Sequence, residues 1–424
     1  MVQIPPRLPG YAKCLRDRLM KRLLYIAHRM PFPPDKGDRV RAFHQIETLS
    51  QHYEITLATL AHSRADAEAA PALKQWVEEI ILARAGGSLG LIRGALSLLD
   101  GGAVTEGYFR SPGLLRAIHE ACRKPFDLAI AYSSSTLPYL LAADAKARVM
   151  DLVDVDSAKW ASYGDSSAWP KSWLYRREAR GVRALELEAL ERCDAVLLVS
   201  EAEVRALPTR SARVIAVSNG VDMEYFAPAD PARNEHPGLV FTGTMDYRPN
   251  IDGVCGFVRD VWPGLKERVP GLTFTIVGRN PTRAVKRLEK AAGIRVTGSV
   301  PDVRPFLADA SMAVVPLRIA RGIQNKVLEA MAMGRAVVAS GPALEGLDVR
   351  PGEDVLRADT TEEWHDQVTR LLSDEAFRLK IERAARRRVE ADYSWETRLA
   401  PLVALCERLT GPVGSPEMAA TEAE

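Results

Sequence analysis

Short apolar runs recur along the chain and are separated by amphipathic or polar stretches. In the first half they cover residues 22–27, 53–60, 126–132, 148–153, 194–200 and 214–217. In the second half they cover residues 239–242, 273–277, 313–317 and 336–339. Such runs, alternating with helical patterns, are typical of buried parallel strands joined by helices. The pattern predicts an α/β protein built of two doubly wound, Rossmann-like domains.

The spacing of apolar residues between these runs predicts the main helices. They are expected over residues 40–51, 172–190, 325–333, 362–372, 375–390 and 395–409. Residues 65–120 are expected to be helical with breaks. Within them, residues 88–99 are apolar and poor in charge, and we expect a core or covered helix there. The alternative is a helix that rests on a membrane surface or covers a binding site.

Prolines and polar residues mark a linker at 223–238, which separates the predicted domains at 21–222 and 239–392. A C-terminal helix is predicted over 393–410. Residues 1–20 read as an N-terminal extension, because they lack the apolar centre of a signal peptide. Residues 411–424 are predicted to form a disordered tail.

Composition excludes several classes of protein. The chain has 424 residues, enough for two domains, and its formal net charge of +2 gives no indication of nucleic-acid binding. Its five cysteines are scattered without CxxC spacing, so neither a disulfide framework nor a zinc site is indicated, and we expect a cytoplasmic protein. Apolar runs of about 18 residues are absent, so membrane contact is expected to be peripheral. The sequence also lacks GxGxxG and GxxxxGK[ST], which argues against dinucleotide and P-loop sites.

Residues 313–340 carry the strongest functional pattern, which reads as strand, basic loop, helix, glycine and strand. Arg318, Arg321 and Lys326 precede or begin the predicted helix. A helix N-terminus has unpaired N–H groups and a positive dipole end, so added cations make a site for phosphate or diphosphate. Glu329 follows Lys326 by one turn, where its carboxylate can accept hydrogen bonds from ribose or sugar hydroxyls. The alternative is a packing unit whose charges face water.

This stretch resembles the donor-site signature of the retaining, two-domain glycosyltransferases called family 4 or group 1. That signature is a Glu, seven residues, a second Glu, then Ala-Met-Ala, Gly and a Val-Val strand. Glu329 matches the second Glu, and Arg321 stands where the first is expected. The form Arg-Gly-Ile-Gln-Asn-Lys-Val-Leu-Glu is similar to the subgroup associated with PEP-CTERM/exosortase systems and exopolysaccharide synthesis.

The resemblance implies the GT-B fold, in which two domains face a central cleft and the helix at 393–410 crosses back to the first domain. It also implies retaining, metal-independent transfer of a sugar from a UDP- or GDP-linked donor to an acceptor hydroxyl, with no cofactor. The residues implied in catalysis are Lys326, Glu329 and Arg248. Donor-binding residues implied by the resemblance are Gly243, Thr244, Arg279, Val300, Arg321, Gly322, Ile323, Gln324 and Asn325.

Two loops of the first domain are candidate cleft or acceptor residues. One follows the first strand and contains Lys36, Gly37, Asp38 and Arg39, an imperfect match to the Lys-Gly-Gly-like loop of the family. Its alternative is a turn glycine flanked by solvated charges. The other contains Asp154 and Asp156. An Asp-x-Asp after a strand holds a metal in another glycosyltransferase fold, but here we expect contacts with acceptor hydroxyls. Loop capping is the alternative for these carboxylates.

The expected partners are a nucleotide-sugar donor and a glycan or lipid-linked acceptor, at the inner face of the membrane. The predicted helix at 172–190 carries a basic, partly aromatic face that fits an anionic lipid-linked acceptor or membrane, although a solvated face is favoured. Two other functions stay open. One is a non-catalytic nucleotide-sugar-binding or scaffold protein, suggested by Arg321 in place of the first Glu. The other is a sugar-nucleotide epimerase on the same fold.

Overall fold

The computed structural model describes residues 20–34, 37–85, 87–209, 211, 213–228, 237–320 and 322–411. Within these residues the chain divides into two compact units. The first unit takes the chain up to Leu198, the segment Val204–Val217 and the chain from Leu399 onward. The second takes Val199–Glu203 and Ser218–Arg398. Residues 1–19 and 412–424 of the predicted terminal segments, and residues 229–236 of the linker, lie outside the described residues.

Seven parallel strands form the sheet of the first unit, in the spatial order β3-β2-β1-β4-β5-β6-β7. They are β1 (Lys21–Ala27), β2 (Tyr53–Ala61), β3 (Glu79–Arg84), β4 (Phe126–Tyr132), β5 (Ala145–Val153), β6 (Ala195–Leu198) and β7 (Val214–Ala216). The strands predicted for this half are confirmed. Leu24, Ile26, Ala129 and Met150 are fully buried, as expected for a sheet covered by helices.

The helices up to the end of the first sheet lie between these strands. They are α1 (Gly37–Leu49), α2 (Arg64–Ala69), α3 (Gly87–Asp100), α4 (Val104–Phe109), α5 (Pro112–Ala121), α6 (Leu137–Ala142), α7 (Asp156–Asp165), α8 (Lys171–Arg192) and α9 (Glu201–Ala206), with 3₁₀ turns at Ala70–Gln75 and Ser134–Thr136. Helix α8 confirms the prediction for 172–190.

Two expectations for the first unit are wrong. Residues 65–120 are not only helical, because β3 pairs with β2 at the edge of the sheet. Its apolar centre is short and its side chains are partly exposed, so pairing rather than local pattern decides its structure. The segment 88–99 is also not a covered helix. Leu91 is 67% exposed and Leu99 is 84% exposed, so α3 turns large apolar side chains outward.

Six parallel strands form the sheet of the second unit, in the spatial order β10-β9-β8-β11-β12-β13. They are β8 (Gly238–Thr242), β9 (Thr273–Val277), β10 (Ile294–Gly298), β11 (Met312–Val315), β12 (Ala336–Ala339) and β13 (Leu356–Arg357). Counted within the unit, this is the order 3-2-1-4-5-6 of a doubly wound sheet. The strand order reverses between β8 and β11, which is the topological switch point.

The remaining helices are α10 (Arg248–Asp260), α11 (Trp262–Arg268), α12 (Arg283–Lys286), α13 (Arg304–Asp309), α14 (Asn325–Ala332), α15 (Gly341–Leu344), α16 (Thr361–Ser373), α17 (Glu375–Asp392) and α18 (Trp395–Thr410), with a 3₁₀ turn at Arg287–Lys290. The predicted stop after α14 is confirmed. Gly334 has φ +66, and Arg335 N–H donates to the carbonyl oxygen of Ala330 at 2.9 Å. The two parallel, helix-connected sheets confirm the predicted α/β class.

Candidate functional site

The candidate site lies at the switch point of the second sheet. After β8 the chain turns at Gly243 and enters α10 at Arg248, and after β11 it enters α14 at Asn325. In doubly wound sheets, ligands bind outside the carboxyl ends of the strands at this point, because the two adjacent loops diverge there. The predicted phosphate-binding helix α14 therefore starts where the topology favours a ligand.

Lys326 is the central cation of this site. Its Nζ donates a hydrogen bond to Oδ1 of Asn250 at 2.8 Å and lies 5.0 Å from the ring centroid of Phe241. Asn250 is 3% exposed, and its Nδ2 donates to the carbonyl oxygen of Thr244 at 2.9 Å. The Asn250 amide thus links the loop after β8 to the first turn of α14, and it fixes the position of the ammonium group.

Glycine is required at two positions for these loops to meet. A Cβ atom at Gly243 would lie 2.7 Å from Nδ2 of Asn250 and 3.4 Å from Cε of Lys326. A Cβ atom at Gly278 would lie 1.6 Å from the carbonyl oxygen of Gly243. Met245 N–H also donates to the carbonyl oxygen of Arg279 at 2.8 Å. The loops after β8 and β9 are therefore packed backbone against backbone, which leaves no room for side chains.

Burial shifts the pKa values of both ionisable groups on α14. Desolvation raises the pKa of Glu329 to about 7, and the nearby Lys326 opposes this shift. Desolvation lowers the pKa of Lys326 to about 8, and Glu329 opposes that shift. An ammonium group that has lost part of its hydration is stabilised by an anionic ligand. Strong pKa shifts of this kind are concentrated at functional sites.

The first turn of α14 is held by a second asparagine contact. Nδ2 of Asn219 donates to Oδ1 of Asn325 at 3.1 Å, and Val327 N–H donates to the carbonyl oxygen of Gln324 at 2.9 Å. The positive end of the helix dipole thus coincides with the Lys326 ammonium. Together they form a positively charged, hydrogen-bonding cradle suited to phosphate oxygens.

One predicted cation is not part of this cradle. Arg318 pairs with Asp260 at the last residue of α10, whereas Asn250 lies in the first turn of that helix. These ends are about 15 Å apart along the axis, since a helix rises about 1.5 Å per residue. The expectation that Arg318 helps to bind phosphate is therefore wrong, and its charge is used to hold the loop after β11 against α10.

The other predicted donor residues lie on nearby loops. Arg248 is the exposed first residue of α10, and Arg279 follows β9. Gly322 has φ +63, Ile323 packs partly buried against the core of the second unit, and Val300 does the same after β10. Arg321 lies outside the described residues. No contact in the structure assigns these residues a ligand, so their roles stay predictions.

Three residues of the cradle were missed by sequence reasoning, namely Asn250, Phe241 and Asn219. The signal for Asn250 was present, because an amide in the first helical turn after a glycine turn can reach a neighbouring loop. In the sequence Phe241 looks like an ordinary core residue. Only the structure shows that its ring lies beneath the Lys326 ammonium, where it makes a cation–π contact.

The first unit carries the predicted cleft residues. Lys36 lies outside the described residues, and Gly37, Asp38 and Arg39 are in the first turn of α1. Nη2 of Arg39 pairs with Oδ1 of Asp66 at 2.8 Å. Asp156 begins α7 and pairs with Lys159. These ion pairs fit the local, loop-stabilising alternatives as well as a binding role, so the acceptor-side assignments stay predictions.

The loop that contains Asp154 is held under strain. Val153 has φ +69, a conformation that is strongly unfavourable for a β-branched residue. Its N–H donates to Oδ1 of the fully buried Asp151 at 3.0 Å. Asp151 also accepts hydrogen bonds from Nε of Arg41 at 2.8 Å and from Nε2 of Gln45 at 2.6 Å. Since α1 supplies these donors, it fixes the turn that carries Asp154, and such strain commonly marks a functional loop.

Comparison with known proteins agrees with this architecture. Residues 236–374 match the family model described as glycosyl transferases group 1, which agrees with the group 1 part of the resemblance. No curated protein matches the sequence. Sucrose-phosphate synthase from Thermosynechococcus elongatus superposes with a TM-score of 0.68 at 16% identity, covering 92% of this chain and 99% of that one. The fold is GT-B.

Two other GT-B neighbours are known as complexes. HepE from Anabaena, bound to UDP-glucose, has a TM-score of 0.62 at 14% identity and covers 92% of this chain and 100% of its own. TarM from S. aureus, in complex with fondaparinux, α-GlcNAc-glycerol and UDP, has a TM-score of 0.64 at 12% identity. It covers 91% of this chain and 100% of its own. At these identities the likeness establishes the fold.

Proposed function

We propose that this protein transfers a sugar from a nucleoside diphosphate sugar to an acceptor hydroxyl. The observation that carries the proposal is the partly desolvated Lys326 ammonium, which Asn250 holds at the switch point with Glu329 one helical turn away. Within this cradle the Lys326 ammonium and the N-terminus of α14 attract anionic oxygens, which a diphosphate supplies. The group 1 match over residues 236–374 and the UDP-containing complexes of HepE and TarM support the same function.

The proposed reaction depends on the negative charge of the leaving diphosphate. As the bond between the anomeric carbon and the donor phosphate oxygen breaks, negative charge develops on the leaving diphosphate. Lys326, Arg248 and the N-terminus of α14 stabilise that charge, which is electrostatic catalysis. The acceptor oxygen bonds to the anomeric carbon on the face that the diphosphate leaves, and its proton passes to a donor phosphate oxygen. This gives retention without a protein nucleophile.

The cradle consists of cationic and amide groups, so we propose that transfer is metal-independent. Among the described residues there is no cluster of three or more His, Cys, Asp or Glu side chains that could hold a metal ion. We place Glu329 on the ribose hydroxyls and Arg321 beside the diphosphate or a sugar carboxylate. Asp154, Asp156 and Arg39 are the proposed acceptor-side residues.

The sequence over residues 321–329 supports a role in exopolysaccharide or cell-surface glycan synthesis of the exosortase-associated type, with a glycan or lipid-linked acceptor. The competing function is binding of a nucleotide-sugar without transfer, because Arg321 replaces an acidic residue that usually contacts the sugar. Epimerisation of the donor is the third outcome that the site permits.

Binding followed by turnover distinguishes these functions. A panel of UDP- and GDP-sugars is screened by thermal shift, since a ligand that binds the native state raises the melting temperature. The donor that binds is then incubated with the protein, with and without glycan acceptors, and the products are identified. We expect nucleoside diphosphate release and a glycosylated acceptor. Binding without any product would assign the non-catalytic function, and an isomeric donor would assign epimerisation.

Glu329→Ala tests the position of the donor. Losing a hydrogen bond with a charged acceptor costs about 1.5–3 kcal/mol, so affinity for the nucleoside diphosphate should fall about tenfold to a hundredfold. Glu382→Ala is the matched control, because Glu382 is another partly buried glutamate of the second unit whose pKa burial raises. Unchanged binding by Glu329→Ala, with the fold intact, would place the donor elsewhere.

A further inference from the structure

Helix α3 packs with its small residues inward. Ideal Cβ atoms at Gly90 and Gly94 would lie 3.1 Å from the carbonyl oxygen of Tyr108 and 3.0 Å from that of Val104. A Cβ atom at Gly107 would lie 2.1 Å from Oγ of Ser97. Helices α3 and α4 therefore approach through glycines, and the large side chains of α3 have no place between them.

The outer side of α3 is apolar. Leu89, Leu91, Ile92, Leu96 and Leu99 are each between 55% and 84% exposed. A helix on a protein surface normally turns its large apolar residues inward and its charged residues outward. The one charged residue between 87 and 99 is Arg93, and its Nη1 donates to the carbonyl oxygen of Arg110 at 2.6 Å.

The beginning of α8 extends this surface. Trp169 is 82% exposed and Trp173 is 53% exposed. An ideal Cβ at Gly101, just after α3, would lie 3.9 Å from Nη2 of Arg177, which is one turn from Trp173 on α8. The end of α3 and the beginning of α8 therefore lie close together. We call the set formed by Leu89, Leu91, Ile92, Leu96, Leu99, Trp169 and Trp173 the apolar face.

Cations outnumber carboxylates beside the apolar face, where Nη2 of Arg176 pairs with Oδ1 of Asp165 at 3.2 Å. Helix α8 carries five cations within residues 171–183, namely Lys171, Arg176, Arg177, Arg180 and Arg183. The one carboxylate within 171–183 is Glu178, which is 4% exposed. It accepts hydrogen bonds from Val104 N–H at 2.6 Å and Thr105 N–H at 2.9 Å. Because Glu178 is used to cap α4, it does not offset the exposed cations.

We infer that the apolar face docks on the surface of an anionic lipid bilayer. Leucines that enter the acyl region, tryptophans at headgroup depth and flanking cations are the combination that an interfacial surface requires. A second copy of this chain is a poorer occupant, since a symmetric contact would bring two like-charged clusters together. In the described part of the chain no helix is long and apolar enough to cross a membrane, so contact would be made at the surface.

Vesicle binding tests this inference with the full chain and no donor, so its result is independent of sugar transfer. The protein is sedimented with vesicles of phosphatidylcholine alone or with about one-third phosphatidylglycerol. We expect binding to the anionic vesicles, a blue shift of tryptophan emission and weaker binding at high salt. No binding to anionic vesicles, or equal binding to both vesicle types, would overturn the inference.

Matched variants locate the surface. Leu96→Gln/Leu99→Gln should weaken vesicle binding by roughly tenfold per leucine. Arg176→Gln/Arg180→Gln should weaken it by about fivefold per cation. Exposed residues of α17 provide the controls, Leu379→Gln for the leucines and Arg383→Gln/Arg387→Gln for the arginines, and these should bind as the unchanged protein does.

Two results would contradict the assignment of this surface. Leucine and arginine variants that bind like the controls would show that another surface meets the lipid. A dimer in light scattering that becomes monomeric in Leu96→Gln/Leu99→Gln would instead assign the apolar face to a second copy.

Discussion

Replacing Asn250 tests whether the cradle works as a unit. Its amide accepts from Nζ of Lys326 at 2.8 Å and donates to the carbonyl oxygen of Thr244 at 2.9 Å. Asn250→Ala removes both bonds without replacing a residue that is predicted to contact the donor. Lys326 then keeps its charge but loses the group that positions it. We therefore expect Asn250→Ala to bind the nucleotide more weakly, although Asn250 itself is nearly inaccessible to solvent.

The magnitude follows from the type of bond that is lost. A hydrogen bond to a charged group contributes about 1.5–3 kcal/mol. If Lys326 reaches the diphosphate only when Asn250 holds it, UDP affinity should fall about tenfold to a hundredfold. Affinity for uridine should change little, because uridine has no phosphate. Stability should also fall by about 1–3 kcal/mol, since Asn250 is buried and its partners lose a bond.

Calorimetric titration with UDP and uridine measures this difference, and thermal unfolding measures stability. Tyr393→Phe is the control, because the Tyr393 hydroxyl accepts a bond from Asp348 N–H at 2.6 Å in the same unit. It should lose comparable stability and bind UDP normally. Equal UDP affinity for Asn250→Ala and the unchanged protein would refute the role of the cradle. An equal loss for Tyr393→Phe would show that general destabilisation explains the effect.

Three further predictions follow from the same site. Sugar transfer should continue in excess EDTA, and activity lost to EDTA and restored by Mn²⁺ or Mg²⁺ would contradict metal independence. UDP affinity should fall as the pH rises through about 8, because Lys326 loses its proton there, whereas Lys326→Arg should keep its affinity in titrations across that range. Arg321→Ala should weaken UDP more than uridine if Arg321 contacts the diphosphate, and a loss seen only with uronic acid donors would place it on the sugar.

Most strands of the two sheets were predictable because they are continuous apolar runs bounded by polar residues, which β10 and β13 are not. Met312–Val315 and Ala336–Ala339 are almost fully buried, and a strand buried on both faces must be apolar throughout. The edge strand Glu79–Arg84 was missed for the opposite reason. Its side chains alternate between partly buried and exposed, and its conformation depends on pairing with β2.

Only those residues of the site that lie close together in the sequence were predictable. Lys326 and Glu329 lie on one helix, so their spacing of three residues places them one turn apart from sequence alone. Asn250 is 76 residues from Lys326, and their hydrogen bond exists because β8 and β11 are neighbours at the switch point. Arg318 shows the converse. Its closeness in sequence to Lys326 suggested a shared role, but the loop directs it to Asp260 instead.

Helix α3 shows how an apolar segment can be misinterpreted when only hydrophobicity is considered. Its leucines indicate that one side avoids water, but they do not reveal whether the protein itself covers that side. Gly90 and Gly94 indicate which side of α3 faces inward, because two glycines four residues apart allow another helix to approach closely on that side. If that side faces inward, the leucines must face outward. The inner contacts with Tyr108 and Val104 hold the helix in place, and the described residues leave the leucines of the apolar face exposed.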